Sequence, residues 1–179
     1  MRLHAPRERR TNTPSPCGRL EFLVKGTTVS DRAKIVGHTI RRTITIAAPR
    51  DRVWAALTET ELISQWFGDA TTYTALEVGA TGRFDWEGYG NFPFEITEVE
   101  PKDSFGYRWS GIPAESLLSD DSTLVRFTLA DAEGGTEVTV VESGFELLPG
   151  KTLYRRTRLE QNRDGWDIEL DELAALLEA

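Results

Sequence analysis

An α+β domain, in which a bent antiparallel sheet lies against a long C-terminal helix, is the fold class this sequence predicts. Three observations carry it. Between Thr43 and Phe67 an alternating strand runs into two helical segments, from Phe84 to Glu142 apolar residues recur with a period of two, and after Pro149 and Gly150 they return to a helical period. One-sided strands and a one-sided helix bury their apolar faces against each other.

The first strand places Ile44 and Ile46 on one face, alternating with Thr43, Thr45 and Ala47. Pro49 suits a first helical position, where its missing N–H is no loss. Val53, Trp54 and Leu57 then fall three and four apart on one helix face. Thr58 with Glu61 three residues on reads as a capping box for a second short helix carrying Leu62, Trp66 and Phe67. With almost no loop between them, the two helices make a V.

The meander follows. Phe84 and Trp86, then Phe92, Phe94 and Ile96, then Phe105, Tyr107 and Trp109, then Val125, Phe127 and Leu129, then Val138 and Val140 alternate with polar or small residues. Turn-rich breaks at Glu87 to Asn91, Pro101 to Asp103, Gly111 to Ser122 and Asp131 to Gly135 separate these runs. Gly79, Gly82, Gly88 and Gly90 are spaced for hairpin turns and match no phosphate-binding fingerprint. From Ile96 to Val99 the apolar spacing slips from two to three, which predicts a bulge that bends the sheet. The last helix is expected from about Thr152 to Glu178, with Trp166, Leu170, Leu173 and Leu177 on one stripe and Leu159 extending it by a seven-residue step. Gly165 inside that helix costs about 1 kcal/mol relative to alanine, so close approach of another backbone or a ligand is expected there.

In this order, "AP", "VW", "LT" and "WF" between Thr43 and Phe67 resemble the opening of the heat-shock-protein-90 ATPase activator homologue family. The likeness continues through Gly82 and Phe84, "EVEP" at Glu98 to Pro101, Tyr107 with Trp109, "ESGF" at Glu142 to Phe145, and Gly165 with Trp166. The family belongs to the START-like (SRPBCC) superfamily of helix-grip, Bet v-like domains. The resemblance implies a ligand cavity between the sheet and the last helix, with its mouth near Trp66 and Phe67. It also implies a second role, as a co-chaperone that stimulates a chaperone ATPase, and more distantly an enzyme like the superfamily's cyclases and dehydratases. Family members often carry histidine or another polar residue where this chain has Glu142.

Composition bounds these options. The 179 residues suit one core with an extension, and a hydrophobic content of 39% fits a soluble, cytoplasmic globular protein. Residues 1–43 carry ten Lys or Arg against three acids, whereas 44–179 carry eleven against twenty-six. The domain is therefore a poor match for nucleic acid, whose phosphates need clustered positive charge. Residues 1–35, with Arg2, Arg7, Arg9, Arg10 and three prolines, read as a disordered basic extension preceding a domain at 36–179. A plain solvated tail is the favoured reading, with a transit peptide, a basic arm for an anionic partner, or sequence translated from upstream of the true start as the others. Leu20, Phe22, Leu23 and Val24 form its one apolar cluster.

Cysteine and histidine are scarce. Cys17 is the single cysteine, and the histidines are His4 and His38, so neither a disulfide framework nor a histidine-based triad inside the meander is available. Zinc sites of the usual His or Cys type lack ligands, and no cofactor is called for. His38 is expected to be an exposed residue at a strand end.

The candidate ligand-binding residues are Trp66, Phe67, Trp86, Phe94, Tyr107, Trp109, Phe127, Glu142 and Trp166, around a small apolar or amphipathic molecule. Most of these rings, with Phe145, must fill ordinary core, and about a third can touch a ligand. Glu142 continues the alternation of Val138 and Val140, so its carboxylate faces inward and needs partners. It is either a ligand-orienting or acid–base group, or one half of an ion pair with Arg156 or Arg163. Arg108 and Glu95 should face solvent as a cross-strand pair.

Overall fold

The computed structural model describes residues 32–117 and 120–179. Among the described residues eight antiparallel strands form a single sheet: β1 (Lys34–Val36), β2 (Thr39–Ile46), β3 (Ala70–Tyr73), β4 (Thr81–Trp86), β5 (Gly90–Glu100), β6 (Ser104–Ser110), β7 (Ser122–Ala132) and β8 (Gly135–Ser143). Their spatial order is β1-β2-β8-β7-β6-β5-β4-β3. Helices α1 (Arg50–Thr58) and α2 (Thr60–Ile63) carry the chain from β2 to β3 on the opposite edge. A 3-10 turn at Phe145–Leu147 precedes α3 (Thr152–Leu177), which packs on β1, β2 and α1.

The expected alternation places the core. Phe84, Phe92, Phe94, Ile96, Phe105, Tyr107, Trp109, Val125, Phe127, Leu129, Val138 and Val140 are buried on the inner face, and Leu159, Trp166, Leu170, Leu173 and Leu177 meet them from α3. The register of β5 against β6 shifts between Ile96 and Glu98, so the bulge stands where the apolar spacing slipped. Opposite it, a Cβ at Gly106 would lie 3.2 Å from Glu98 Cβ, so any side chain there on β6 would press on the bulge. Glu95 and Arg108 face each other across the strands, both exposed.

The helix starts differ from expectation. Pro49 is the residue before the first turn of α1, with ψ 147°, rather than its first helical residue. The capping box does not form. Thr58 is still helical, and its hydroxyl donates back to the Trp54 carbonyl at 2.8 Å, so Glu59 becomes the single link into α2. Ile63, not Leu62, is the buried residue of α2, and Trp66 and Phe67 lie beyond its end. Gly82 is no turn residue either. It sits within β4, where a Cβ would stand 2.4 Å from the Thr72 carbonyl oxygen and 2.5 Å from Phe94 Cζ.

The sheet begins at Lys34, two residues before the boundary expected at 36, and Ala33 is already buried. Both the basic extension and its apolar cluster at Leu20 to Val24 lie outside the described residues. Arg42, 1% exposed on the inner face of β2, fastens α3: its Nη1 donates to the carbonyls of Trp166 (2.9 Å) and Asp167 (2.7 Å), and Nη2 pairs with Asp171. Asp167 Oδ1 also accepts from the Ala33 amide at 2.7 Å, tying the chain ahead of β1 to α3. Among the described residues no helix is long and apolar enough to cross a membrane.

Candidate functional site: a carboxylate under an aromatic-walled gap

Glu142 is fully buried at the centre of the interface between sheet and helix. It lies opposite Val125 of β7, one step along from Thr123, which itself pairs with Trp109 of β6. Oε1 accepts from Trp109 Nε1 (3.0 Å), Thr123 Oγ1 (2.6 Å) and Asn162 Nδ2 (2.9 Å), and Oε2 accepts from Trp166 Nε1 (2.7 Å). Asn162 and Trp166 stand four apart on α3, so they share one helical face. The carboxylate thus stitches α3 to β6, β7 and β8 through uncharged donors. The expected ion pair with Arg156 or Arg163 is absent, because these arginines face solvent and pair with Glu160 and Asp164.

Above this cluster a gap of about 30 Å³ lies between Phe67, Trp86 and Trp109 on one side and α3 on the other, where Gln161, Asn162, Gly165, Trp166 and Glu169 form the wall. Gly165 lines this gap. Phe67 is no mouth residue. It is 4% exposed, stacks on Trp166 with centroids 5.7 Å apart and planes 8° apart, and meets Phe84 edge-on at 4.8 Å. Trp66 is equally buried and pinned by its indole N–H to the Ala56 carbonyl at 2.9 Å. Trp86 is the one ring of the wall that is only half-buried.

On the far side of Phe67 a space of about 10 Å³ is lined by Trp66, Phe94, Tyr107 and Phe127 among others. Of the predicted site residues, Phe67, Trp86, Trp109 and Trp166 thus wall the gap and Glu142 lies beneath it, while Phe94, Tyr107, Phe127 and Trp66 pack behind. Burial, with repulsion from Glu142 and Glu169, holds the Tyr107 phenol well above its usual range, so it stays protonated. Thr123, Asn162 and Glu169 escaped the sequence reading. The signal for Asn162 was there: the seven-residue step from Leu159 to Trp166 skips the one buried polar position between them. Among the described residues no cluster of His, Cys, Asp and Glu suits a metal ion, and His38 is exposed in the β1–β2 turn.

The family described as "Activator of Hsp90 ATPase homolog 1-like protein" matches residues 47–178. The chain belongs to this family. Solved structures of similar fold include protein MLL2253 from Mesorhizobium loti (24% identity, TM-score 0.64, 78% of this chain and 96% of that one). The Aha1 protein from Colwellia psychrerythraea, solved as a dimer, is similar at 23% identity and TM-score 0.61, over 78% of this chain and 96% of that one. DynU16, a protein of the dynemicin biosynthetic locus, is 29% identical with TM-score 0.64; the match takes in 80% of this chain and 48% of DynU16, about half its length. No curated protein matches the sequence.

Proposed function

We propose that this family member binds a small apolar or amphipathic molecule between the Phe67–Trp86–Trp109 wall and the polar face of α3. The observation that carries the reading is the gap itself: aromatic on one side, faced by Gly165 and three polar side chains on the other, with Asn162 and Trp166 of its lining bonded to the buried Glu142 carboxylate. Its resting size is far below the roughly 300 Å³ of a typical ligand pocket, so a ligand has to displace a ring. Trp86, held least by its surroundings, is the ring that yields at lowest cost. The likeness to DynU16, from the dynemicin biosynthetic locus, supports the same reading.

Titration with Nile red, a neutral apolar dye, tests it. Saturable binding with energy transfer from tryptophan is expected, and Gly165→Leu, which fills the gap, should weaken it about tenfold while leaving the circular dichroism spectrum intact. No saturable binding, or equal binding by the variant, would overturn the proposal. Stimulation of a heat-shock-protein-90-type ATPase rests on the family description alone, and an ATPase assay on the same preparation separates the two readings.

A further inference from the structure

Asn162 has a dictated orientation. Its Nδ2 donates to Glu142 Oε1, and a flipped amide would set two acceptors against each other. The consequence is that Oδ1, on a residue 5% exposed that lines the gap, is buried without a hydrogen-bond partner. Native folds rarely leave a buried carbonyl so, and a group in that state is a ready acceptor for an incoming donor. The one charged side chain that lines the gap is acidic. Glu169 lines the same wall and Glu142 lies beneath it, whereas Arg158, a turn earlier on α3, is outside the lining: its Nη1 donates to Asp121 Oδ1 (3.1 Å) and the Tyr154 hydroxyl (2.7 Å), and its Nε and Nη2 are buried without a hydrogen-bond partner.

Building on the ligand-binding reading above, we infer that the site selects a flat, uncharged aromatic carrying a hydroxyl or amino donor, with Asn162 Oδ1 as its acceptor. Glu142 is then a positioning residue, which acts by holding the amide in one orientation. Carboxylate ligands are rejected, because two acidic side chains surround a wall that offers an acceptor. Stacking on Trp166, Trp109 and Trp86 supplies the apolar part of the affinity, and the donor supplies its selectivity.

Competition against Nile red by three compounds of one ring system isolates the claim: 1-naphthol, its isostere 1-methylnaphthalene, and 1-naphthoate. The methyl compound is the more apolar, so hydrophobic burial alone favours it. The inference requires 1-naphthol to bind about tenfold tighter than 1-methylnaphthalene, with 1-naphthoate weakest. Asn162→Ala should erase the preference for the hydroxyl, bringing 1-naphthol and 1-methylnaphthalene to equal competition. Should that variant fail to fold, Glu142→Gln, which can pair with either end of the amide, should shrink the same preference. Equal binding of naphthol and methylnaphthalene, or tightest binding of naphthoate, overturns the acceptor assignment and leaves cavity binding standing. Failure of Nile red and all three compounds overturns both.

Discussion

Glu142 shows how a buried charge is tolerated in this molecule. A carboxylate removed from water costs several kcal/mol unless donors replace its hydration, and here four uncharged donors do so from two strands and one helix. Truncation to alanine would orphan all of them in a closed space, so Glu142→Ala should lose about 3–5 kcal/mol in chemical denaturation. Glu142→Gln, which keeps an acceptor, should lose less than half of that. Tyr107 gives a complementary prediction in alkali. Its phenol titrates at higher pH in the folded protein than in the unfolded chain, so its stabilising contribution is complete below the unfolded value near 10 and is lost as pH rises past it. Tyr107→Phe should remove that part of the alkaline loss, measured as a smaller fall in denaturation midpoint between pH 9 and 11. Inward pointing of Glu142 was legible from strand period. Its partners were not, because nothing in a linear pattern distinguishes a solvated Thr123 or Asn162 from one that faces a carboxylate across the core.

Among the elements, α3 carries the most, since it both closes the core and lines the gap. Trp166 anchors it through its ring and its indole N–H, and Trp166→Ala should cost about 3–5 kcal/mol. An unchanged denaturation midpoint would contradict the packing described here. β1 makes a smaller, separable contribution. Deleting through Val36 removes its pairing with β2 and the Ala33–Asp167 hydrogen bond, whereas deleting through Asp31 removes neither. The longer deletion should melt several degrees lower than the shorter one by calorimetry, at roughly 1–2 kcal/mol of lost stability. The long strands and α3 were legible because their apolar residues repeat over many turns of one period. β1 and β3 span three and four residues, too few to display a period, and Gly82 looked like a turn glycine because the atoms that crowd it, the Thr72 carbonyl and Tyr73 Cβ of β3 and the Phe94 ring of β5, come from other strands. The capping box failed for a related reason. A residue at the junction of two helices can serve either one, and Thr58 was taken by α1.

At the scale of the whole molecule, a bent eight-stranded sheet closed by one helix leaves an interface that aromatic rings fill almost completely. The bulge at Ile96–Glu98 and the stitching of α3 by Arg42 and Glu142 set the curvature and the closure, and the residual gap falls where Gly165 supplies no side chain. We propose this gap as the place where a small molecule enters. The indole N–H resonances report it residue by residue, because Trp86, Trp109 and Trp166 wall the gap while Trp54 lies on α1, away from it. In an ¹H–¹⁵N correlation spectrum titrated with 1-naphthol, the Trp86, Trp109 and Trp166 indoles should shift saturably while Trp54 stays stationary. Shifts of equal size at Trp54, or no movement of the three wall indoles at saturating naphthol, would contradict it.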